Sequence, residues 1–294
     1  GMARLGFGFN FSESTARQMR DGQAIDPLNF TVSDARVQYD EETAICGIVG
    51  APLGVLALHI DQSLVCPTGA LAEKDETDRV LDYIYDPEIT TVLQFAPAIR
   101  VGFGEEFGMA PGTNVEGQII AASRKLGIDI VLDTNFGADV VIMEEGTELL
   151  HRLSERKRPT ITSCCPAWIN FAEVHYPELL PLLSSTRSPQ AVVGAIAKSY
   201  LPVKMGLDPK KIRVISIMPC TAKKDEIVRP QLADDDMPNV DVVLTTREFA
   251  RLLKREGLDL NTIEPSTFDN PYMSEYTGAG ALFGTTGGAT TAAL

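Results

Sequence analysis

The sequence has few cysteines for its length and no long hydrophobic segment. It contains 5 cysteines in 294 residues, an odd number with two of them adjacent. That pattern does not suit the disulfide framework of a secreted protein and indicates a reducing compartment. No apolar run approaches the roughly 18–20 residues that a membrane-spanning helix needs, and no basic region followed by an apolar core opens the chain. We therefore expect a cytoplasmic protein with no membrane partner.

Basic residues are also in short supply. The chain has 26 Lys and Arg against 40 Asp and Glu, which gives a formal net charge of −14. The acidic residues are spread along the whole length, so the charge indicates a solvated acidic surface and argues against a nucleic-acid partner. The hydrophobic content of 44% is enough for a large core, and the length suits two domains or one large α/β domain.

A ferredoxin-like motif near the N-terminus lacks most of its thiols. Cys66-Pro67 resembles the end of the bacterial pattern C-x2-C-x2-C-x3-C-P, which holds a 4Fe–4S cluster. The other three ligand positions carry no cysteine in this chain, where they are occupied by Gln62, His59 and Leu56. We therefore predict a degenerate ferredoxin-like region over residues 1–85, with Cys46 and Cys66 as buried apolar residues rather than ligands.

From residue 88 onward the chain alternates strand and helix patterns. This alternation predicts an α/β fold in which a mostly parallel sheet is flanked by helices. We expect two lobes, over residues 86–206 and 207–294. The predicted strands are 90–96, 128–132, 159–163, 212–218 and 240–244. The predicted helices include 115–126 ending at Gly127, 137–156, and 246–255 with Thr245 or Thr246 as its N-cap.

Two of the predicted strands end in thiols. Strand 159–163 leads to Cys164 and Cys165, and Pro166 suits the first turn of a following helix. Strand 212–218 leads to Cys220. Ligands of open α/β sheets bind at the carboxyl ends of the strands, so we expect distant cysteines to converge there on one metal cluster.

Two further features are ambiguous from the residues alone. Glu145, Glu148 and Arg152 share one face of the predicted helix 137–156, and the spacing by itself indicates a solvated face with an ion pair. Residues 278–288 contain five glycines. They could bring the backbone close to a ligand or could simply form turns.

The sequence resembles the FeFe-hydrogenases. Residues 162–168, Thr-Ser-Cys-Cys-Pro-Ala-Trp, resemble the first signature of that family, and Met218-Pro219-Cys220-x2-Lys223-x2-Glu226 resembles the second. Similarity extends over roughly residues 64–294, in the family's order and spacing. It includes the segments 95–98, 104–108, 133–139, 188–190 and 283–288. The chain is therefore identified as a member of the family.

The resemblance implies the H-cluster, in which a 4Fe–4S cubane is joined through a cysteine sulfur to a diiron centre with CO, CN⁻ and dithiolate ligands. It implies the reaction 2H⁺ + 2e⁻ ⇌ H₂, with ferredoxin or another electron carrier and hydrogenase maturation proteins as partners. By position, Cys165 and Cys220 match cubane ligands. Cys164 matches the thiol that passes a proton to the cofactor.

The remaining family positions fall into two groups. The proton route from Cys164 to the surface is implied to run through Glu145, Ser184, Glu148 and Arg152. The cofactor contacts are implied to be Lys223 for a cyanide, Gln190, Ala96 and Pro97 for other small ligands, and Met218 and Phe283 as an apolar wall. The helix face that spacing alone assigns to an ion pair thus becomes a candidate relay.

The sequence also departs from the family pattern. The third signature, which carries the last two cubane cysteines, does not occur in the 294 residues, and Thr290 and Thr291 stand where the family commonly has Met-Glu. Two of four ligand cysteines are therefore expected, and cluster binding by this chain alone is expected to be weak or absent. Two interpretations stay open: a hydrogenase domain that is incomplete as given, or a non-catalytic iron–sulfur scaffold, sensor or inert remnant.

Overall fold

A computed structural model of the chain describes residues 8–9, 35–36, 74–154, 160–234, 237–269, 273, 275–285 and 288–293. The chain divides into two compact units, Gly1–Ile45 and Cys46–Leu294. In the first unit, strand β1 (Gly8–Phe9) pairs antiparallel with β2 (Ala35–Arg36). The ferredoxin-like motif, with Cys46 and Cys66, lies outside the described residues.

The second unit is built on a four-stranded parallel sheet formed by β3 (Thr90–Phe95), β4 (Ile130–Asp133), β5 (Ile212–Met218) and β8 (Val242–Thr245). The strand order in the sheet is β4-β3-β5-β8. The strands are apolar along most of their length because helices cover both faces of the sheet. All four strands are parallel, so their carboxyl ends meet at one edge, and the candidate site lies there.

Helices surround this sheet. The α-helices are α1 (Thr77–Tyr85), α2 (Ile99–Gly102), α3 (Glu116–Leu126), α4 (Thr134–Ser154), α5 (Pro166–His175), α6 (Pro189–Met205), α7 (Ala222–Glu226), α8 (Thr246–Arg255), α9 (Gly278–Phe283) and α10 (Gly288–Ala293). Short 3-10 helices cover Phe103–Phe107, Pro177–Leu182, Pro209–Lys211, Pro230–Leu232 and Leu260–Thr262, and a small hairpin pairs β6 (Ala233–Asp234) with β7 (Met237–Pro238). Within the described part of the chain, none of these helices has the length and apolar character to cross a bilayer.

The predicted α/β fold with a parallel sheet flanked by helices is confirmed. Strand 212–218 and helix 246–255 have the predicted bounds, and the other predicted strands of the sheet begin or end within a few residues of theirs. Gly127 ends α3 in a left-handed conformation with φ of 110°, which a glycine adopts without strain. Strands β3 and β4 come from the predicted lobe 86–206, whereas β5 and β8 come from 207–294. The lobe boundaries stay a prediction.

The cap of α8 shows how local sequence fixes a helix start. The Thr245 hydroxyl accepts a hydrogen bond from the Glu248 amide, and the Glu248 carboxylate accepts one from the Thr245 amide. This reciprocal capping box satisfies two amides that have no partner within the helix. It confirms Thr245 as the cap.

The predicted strand at 159–163 is wrong in the part that the structure describes. Ile161 makes a single isolated parallel bridge with Leu183 instead of joining the sheet. Its amide donates to Leu182 O at 2.8 Å and its carbonyl accepts from the Ser184 amide at 2.7 Å. The segment is therefore fixed by a distant loop, a pairing that an apolar pattern does not reveal.

The glycine-rich segment 278–288 forms helix α9 over Gly278–Phe283 and the first residue of α10 at Gly288, and Gly284 and Thr285 form a turn after α9. Helix α9 begins at Gly278 because the Thr277 hydroxyl accepts hydrogen bonds from the amides of Ala279 and Gly280. Thr277 is itself held by Asp139 on α4. A Cβ on Gly280 would lie 2.8 Å from Asp139 Oδ1, so glycine here permits close packing of two helices.

Helices α4 and α6 also approach each other at a glycine, Gly137. A Cβ at that position would lie 2.5 Å from Pro189 O and 2.7 Å from Val193 Cγ2. We predict that Gly137→Ala lowers the free energy of unfolding by roughly 1–3 kcal/mol, because the backbone of α6 would have to move. Urea unfolding followed by circular dichroism measures the change.

The matched control is Gly146→Ala on the same helix. No atom lies within 4 Å of the added methyl group, so the alanine should stabilise the protein by up to about 1 kcal/mol through its higher helix propensity. Equal effects of the two substitutions would contradict the close packing at Gly137.

Candidate active site

Two loops bring Cys165 and Cys220 together at the carboxyl edge of the sheet. Cys165 is the N-cap residue of α5, and the backbone amides of Ala167 and Trp168 act to lower the pKa of its thiol. Cys220 follows β5, and the amides of Ala222 and Lys223 act in the same direction on the pKa of its thiol. The two thiols are close enough to interact electrostatically. Amide donors of this kind favour an anionic sulfur, the form that binds a metal.

Burial dominates the acid–base behaviour of the three thiols at this edge. It raises the pKa of Cys164, Cys165 and Cys220 above the ordinary value for cysteine. The positive charge of Lys223 acts in the opposite direction on all three but does not outweigh burial. None of the three forms a disulfide bond in the described structure, and each is partly accessible to solvent.

The ammonium group of Lys223 joins the two cysteine loops. Its Nζ donates to the backbone oxygen of Cys164 at 3.0 Å and to both carboxylate oxygens of Glu226, at 3.0 and 2.9 Å. Gln190 Nε2 donates to the same carboxylate at 2.8 Å. Glu226 is only 3% exposed, so the lysine and the glutamine supply the partners that a buried carboxylate requires.

Gln190 is fixed from the opposite side by the sheet. Gln94 of β3 donates from Nε2 to Gln190 O at 2.9 Å, and Thr134 donates to Gln94 Oε1 at 3.0 Å. Gln190 Oε1 is buried and has no hydrogen-bond partner in the described structure. A buried acceptor without a partner is costly in the absence of a bound group or water, so this atom indicates a place where a further group binds.

Apolar residues line the same edge. Ala96 and Pro97 follow β3, and the Ala96 amide donates to Ile217 O at 3.0 Å. Met218, the last residue of β5, is 3% exposed. Phe283 ends α9, and a Cβ on the next residue, Gly284, would lie 3.0 Å from Pro97 Cβ. Helix α9 therefore packs against the end of β3.

The outer part of the predicted proton route is hydrogen-bonded. Arg152 Nη2 contacts Glu148 Oε1 at 2.6 Å, and Ser184 Oγ donates to Glu148 Oε2 at 2.7 Å. Burial by itself raises the pKa of Glu148, but the hydrogen bonds from Ser184, Arg152 and the Ser185 amide outweigh it, so the pKa lies below its ordinary value. Arg152 also donates to the backbone oxygens of Pro181, Leu182 and Leu183.

The inner part of the route is a separate hydrogen-bonded group. Glu145 is 7% exposed, and the Thr162 hydroxyl lies 3.0 and 3.1 Å from its two carboxylate oxygens. The Thr162 hydroxyl also acts to lower the pKa of the Cys164 thiol, although burial outweighs it. No hydrogen bond joins Glu145 to Ser184 in the described structure. Two groups therefore lie along α4, one buried beside Cys164 and one nearer the surface.

Sequence reasoning gave no role to two residues that organise this edge, Thr162 and Glu226. Both stand inside the cysteine motifs. Glu226 is three residues after Lys223, the spacing at which side chains meet on a helix. No sequence pattern predicts that Thr162 lies opposite Glu145, because this position follows from the bridge between Ile161 and Leu183.

The depressed pKa of Glu148 predicts a pH-dependent contribution to stability. Ionised Glu148 stabilises the fold above its ordinary pKa of 4.5, and this contribution is lost as pH falls through the lower folded-state value. We predict that Glu148→Gln lowers the free energy of unfolding at pH 7 by roughly 1 kcal/mol or more, and that the difference from wild type narrows below about pH 4.5. Urea unfolding at a series of pH values measures it.

Glu144→Gln on the same helix is the control, since Glu144 is exposed. It should have little effect at either end of the pH range. A Glu148→Gln deficit that stays constant down to pH 3 would show that the carboxylate charge is not what stabilises this position.

Known proteins resemble the chain over most of its length. Residues 89–294 match the family described as "Iron only hydrogenase large subunit, C-terminal domain". The chain is 47% identical over 229 residues to Iron hydrogenase 1 of Clostridium pasteurianum, covering 78% of this chain and 40% of the relative. It is 36% identical over 165 residues to the cytosolic Fe-S cluster assembly factor narfl of Xenopus tropicalis, covering 53% of this chain and 35% of the relative.

Solved structures agree with this assignment. An apo FeFe-hydrogenase from Chlamydomonas reinhardtii superimposes with a TM-score of 0.67 at 41% identity, covering 75% of this chain and 57% of that one. The chain thus spans between two fifths and three fifths of the hydrogenases described here. Residues 89–294, the range matched by the family description, include both cysteine loops, Lys223, which joins them, and helix α4. The chain belongs to the iron-only hydrogenase large-subunit family.

Proposed function

We propose that this chain is the part of a hydrogenase catalytic domain that holds one side of the H-cluster and delivers protons to it, in the reaction 2H⁺ + 2e⁻ ⇌ H₂. The observation that carries the proposal is the hydrogen bond from Lys223, which lies in the loop of Cys220, to the backbone oxygen of Cys164. Glu226, on the same short helix, holds the ammonium group through both carboxylate oxygens. Cysteine loops joined by one largely buried cation suit a shared anionic cofactor.

The donor set at this edge fits half of a 4Fe–4S site. Cys165 and Cys220 would supply two thiolate ligands, and four are usual for such a cluster. No cluster of three or more Cys, His, Asp or Glu ligands occurs among the described residues, so the other ligands would have to come from elsewhere. When bound, the H-cluster supplies the redox chemistry.

Polar and apolar residues beside the thiols would hold the remainder of the cofactor. Lys223 would hold an anionic ligand, since an ammonium attracts negative charge strongly in a dry pocket. Gln190 Oε1, which has no hydrogen-bond partner in the described structure, would accept a hydrogen bond from the bound group. Ala96, Pro97, Met218 and Phe283 would exclude water from the same space.

The protein's own part of the chemistry is proton movement. Cys164 would exchange a proton with the cofactor, and Glu145, Ser184, Glu148 and Arg152 would carry it between Cys164 and solvent. The support is their order along α4, from a buried Glu145 to the partly exposed pair of Glu148 and Arg152. Carboxylates so placed can pass a proton by side-chain rotation or through a water.

The whole protein would act with an electron carrier, ferredoxin or another, and with hydrogenase maturation proteins in the cytoplasm. The relatives support an electron-transfer partner. One of them, 45% identical over 237 residues, is the NADP-reducing hydrogenase subunit HndD of Solidesulfovibrio fructosivorans, of which the chain covers 40%.

A second candidate is a non-catalytic iron–sulfur scaffold. It is favoured by the similarity to assembly factors, including the cytosolic iron-sulfur assembly component 3 of mouse, at 34% identity over 186 residues. A scaffold would use Cys165 and Cys220 but would need no thiol beside a buried carboxylate. Cys164 and Glu145 therefore separate the two candidates.

The ligand assignment predicts a difference between adjacent cysteines. When the chain is joined to the C-terminal part of the Clostridium pasteurianum relative and reconstituted anaerobically with iron and sulfide, Cys165→Ala and Cys220→Ala should lose most of the iron that the unsubstituted fusion binds, whereas Cys164→Ala should retain it. Iron and inorganic sulfide analysis, together with EPR spectroscopy, measures this. An equal loss of iron in Cys164→Ala would make Cys164 a ligand.

Turnover separates enzyme from scaffold. We predict that the chain, joined to the C-terminal part of the Clostridium pasteurianum relative and loaded with iron, sulfide and a synthetic diiron compound, evolves hydrogen from reduced methyl viologen. Cys164→Ala should lower the rate at least about 100-fold with unchanged iron content, the usual effect of losing a proton-transfer group. A loaded protein that evolves no hydrogen would favour the scaffold.

A further inference from the structure

An arginine joins the two segments that carry the candidate ligand cysteines. Arg229, which follows α7, donates from Nη1 and Nη2 to the two carboxylate oxygens of Glu173 on α5, at 2.9 Å each. Its Nη2 also contacts Asn170 Oδ1 on the same helix. We propose that Arg229 is a positioning residue that sets the separation of the Cys165 and Cys220 thiols by fixing α5 to the segment after β5. The role rests on the proposed function, in which both thiols bind one cluster.

Helix α5 has little apolar anchoring of its own. Its buried residues are small, namely Pro166, Ala167 and Ala172. None of its residues, all of which the structure describes, belongs to the hydrophobic core around the sheet. The helix packs against the 3-10 helix Pro177–Leu182 and against α7. Small side chains bury little apolar area, so hydrogen bonds decide where α5, and Cys165 at its N-cap, lies.

The other side of the contact is anchored in the sheet. Cys220 follows β5, whose residues are almost all buried. Ile227, two residues before Arg229, packs against the hydrophobic core, and the Arg229 amide donates to Glu226 O at 3.2 Å. Arg229 therefore joins a helix that the core does not hold to a segment that the core does hold.

This contact adds a constraint that Lys223 does not supply. Lys223 reaches the Cys164 loop at one backbone oxygen, and a single hydrogen bond leaves the two segments free to rotate about it. The two parallel bonds from Arg229 to Glu173 fix orientation as well as distance. Asn170 adds a third point, since its Nδ2 donates to Asp225 Oδ2 at 2.8 Å.

The ion pair of Arg229 and Glu173 contributes little to the stability of the fold. The Glu173 side chain is 41% exposed, and ion pairs open to solvent have small effects on the free energy of unfolding. Loss of the pair should therefore leave the protein folded while it loosens the placement of α5. Positioning and stability can thus be measured separately.

The test uses Cd²⁺ as a probe of the two thiols, in the whole chain without cofactor. Cys46→Ser, Cys66→Ser and Cys164→Ala together leave Cys165 and Cys220 as the only thiols among the five cysteines. Cd²⁺ held by two thiolates gives a charge-transfer absorption in the ultraviolet, and its growth with Cd²⁺ concentration gives the Kd. The readout needs no H-cluster, so a fusion protein that evolves no hydrogen would leave this result untouched.

In this background, Arg229→Met should weaken Cd²⁺ binding roughly 10-fold or more, in the range that partners outside the ligands contribute to metal affinity. Glu173→Gln should weaken it as well. The two substitutions change the local charge in opposite directions, so an electrostatic effect alone would strengthen binding in Arg229→Met and weaken it in Glu173→Gln. The double variant should be no weaker than the weaker single variant, because both remove the same contact.

Arg187→Met is the matched control. Arg187 makes a similar bidentate pair, from Nη1 and Nη2 to Asp234 at 2.7 and 2.8 Å, but the pair involves neither α5 nor α7. Its loss should leave Cd²⁺ binding unchanged. Circular dichroism and the urea midpoint establish that each variant is folded, and Arg229→Gln replaces Arg229→Met if the methionine protein does not fold.

Three results would overturn the proposal. The first is an unchanged Kd for Cd²⁺ in a folded Arg229→Met protein. The second is a pair of opposite shifts in Arg229→Met and Glu173→Gln, which would reduce the role of the arginine to its charge. The third is binding of Cd²⁺ through a single thiolate while Arg229 is intact, which would show that the contact does not hold the two thiols together.

Discussion

The arrangement of the candidate site depends on the hydrogen bonds of one largely buried ammonium group, that of Lys223. Lys223 Nζ has three donors, and they bond the Cys164 carbonyl and the two oxygens of Glu226. Removing one member of a buried ion pair leaves an uncompensated charge, which costs several kcal/mol. The two cysteine loops, nearly sixty residues apart in sequence, are therefore tied together by a contact that the fold cannot easily lose.

The parallel sheet explains why this contact is possible at all. Strands β3 and β5 are parallel, so the residues that follow them, Pro97 and Cys220, lie at the same edge of the sheet. Helices α4 and α6 can reach that edge because Gly137 lets their backbones approach. Gln190, near the start of α6, thereby comes within hydrogen-bonding distance of Glu226.

The sequence was most informative where a local signal decides the structure. The sequence predicts the strand β5 from its apolar run, the helix cap at Thr245 and the glycine that ends α3, because each of these signals lies within a few neighbouring residues. The sequence wrongly predicts a strand of the sheet around Ile161. The partner of Ile161, Leu183, is distant in sequence and makes only an isolated bridge with it. For the same reason the family pattern indicated which residues matter, whereas the contact of Thr162 with Glu145 required the structure.

In the proposed function, helix α4 separates a proton-transferring site from one that only holds metal. A metal scaffold needs thiols and a stable edge of the sheet, and Cys165, Cys220, Lys223 and Glu226 already provide these. The carboxylates of α4 add nothing to metal binding, yet one is buried among uncharged partners beside a thiol and the next is held near the surface by Arg152. Burying a carboxyl group is costly unless its partners compensate. A single threonine hydroxyl is modest compensation, so the burial of Glu145 supports the proposed role in proton transfer.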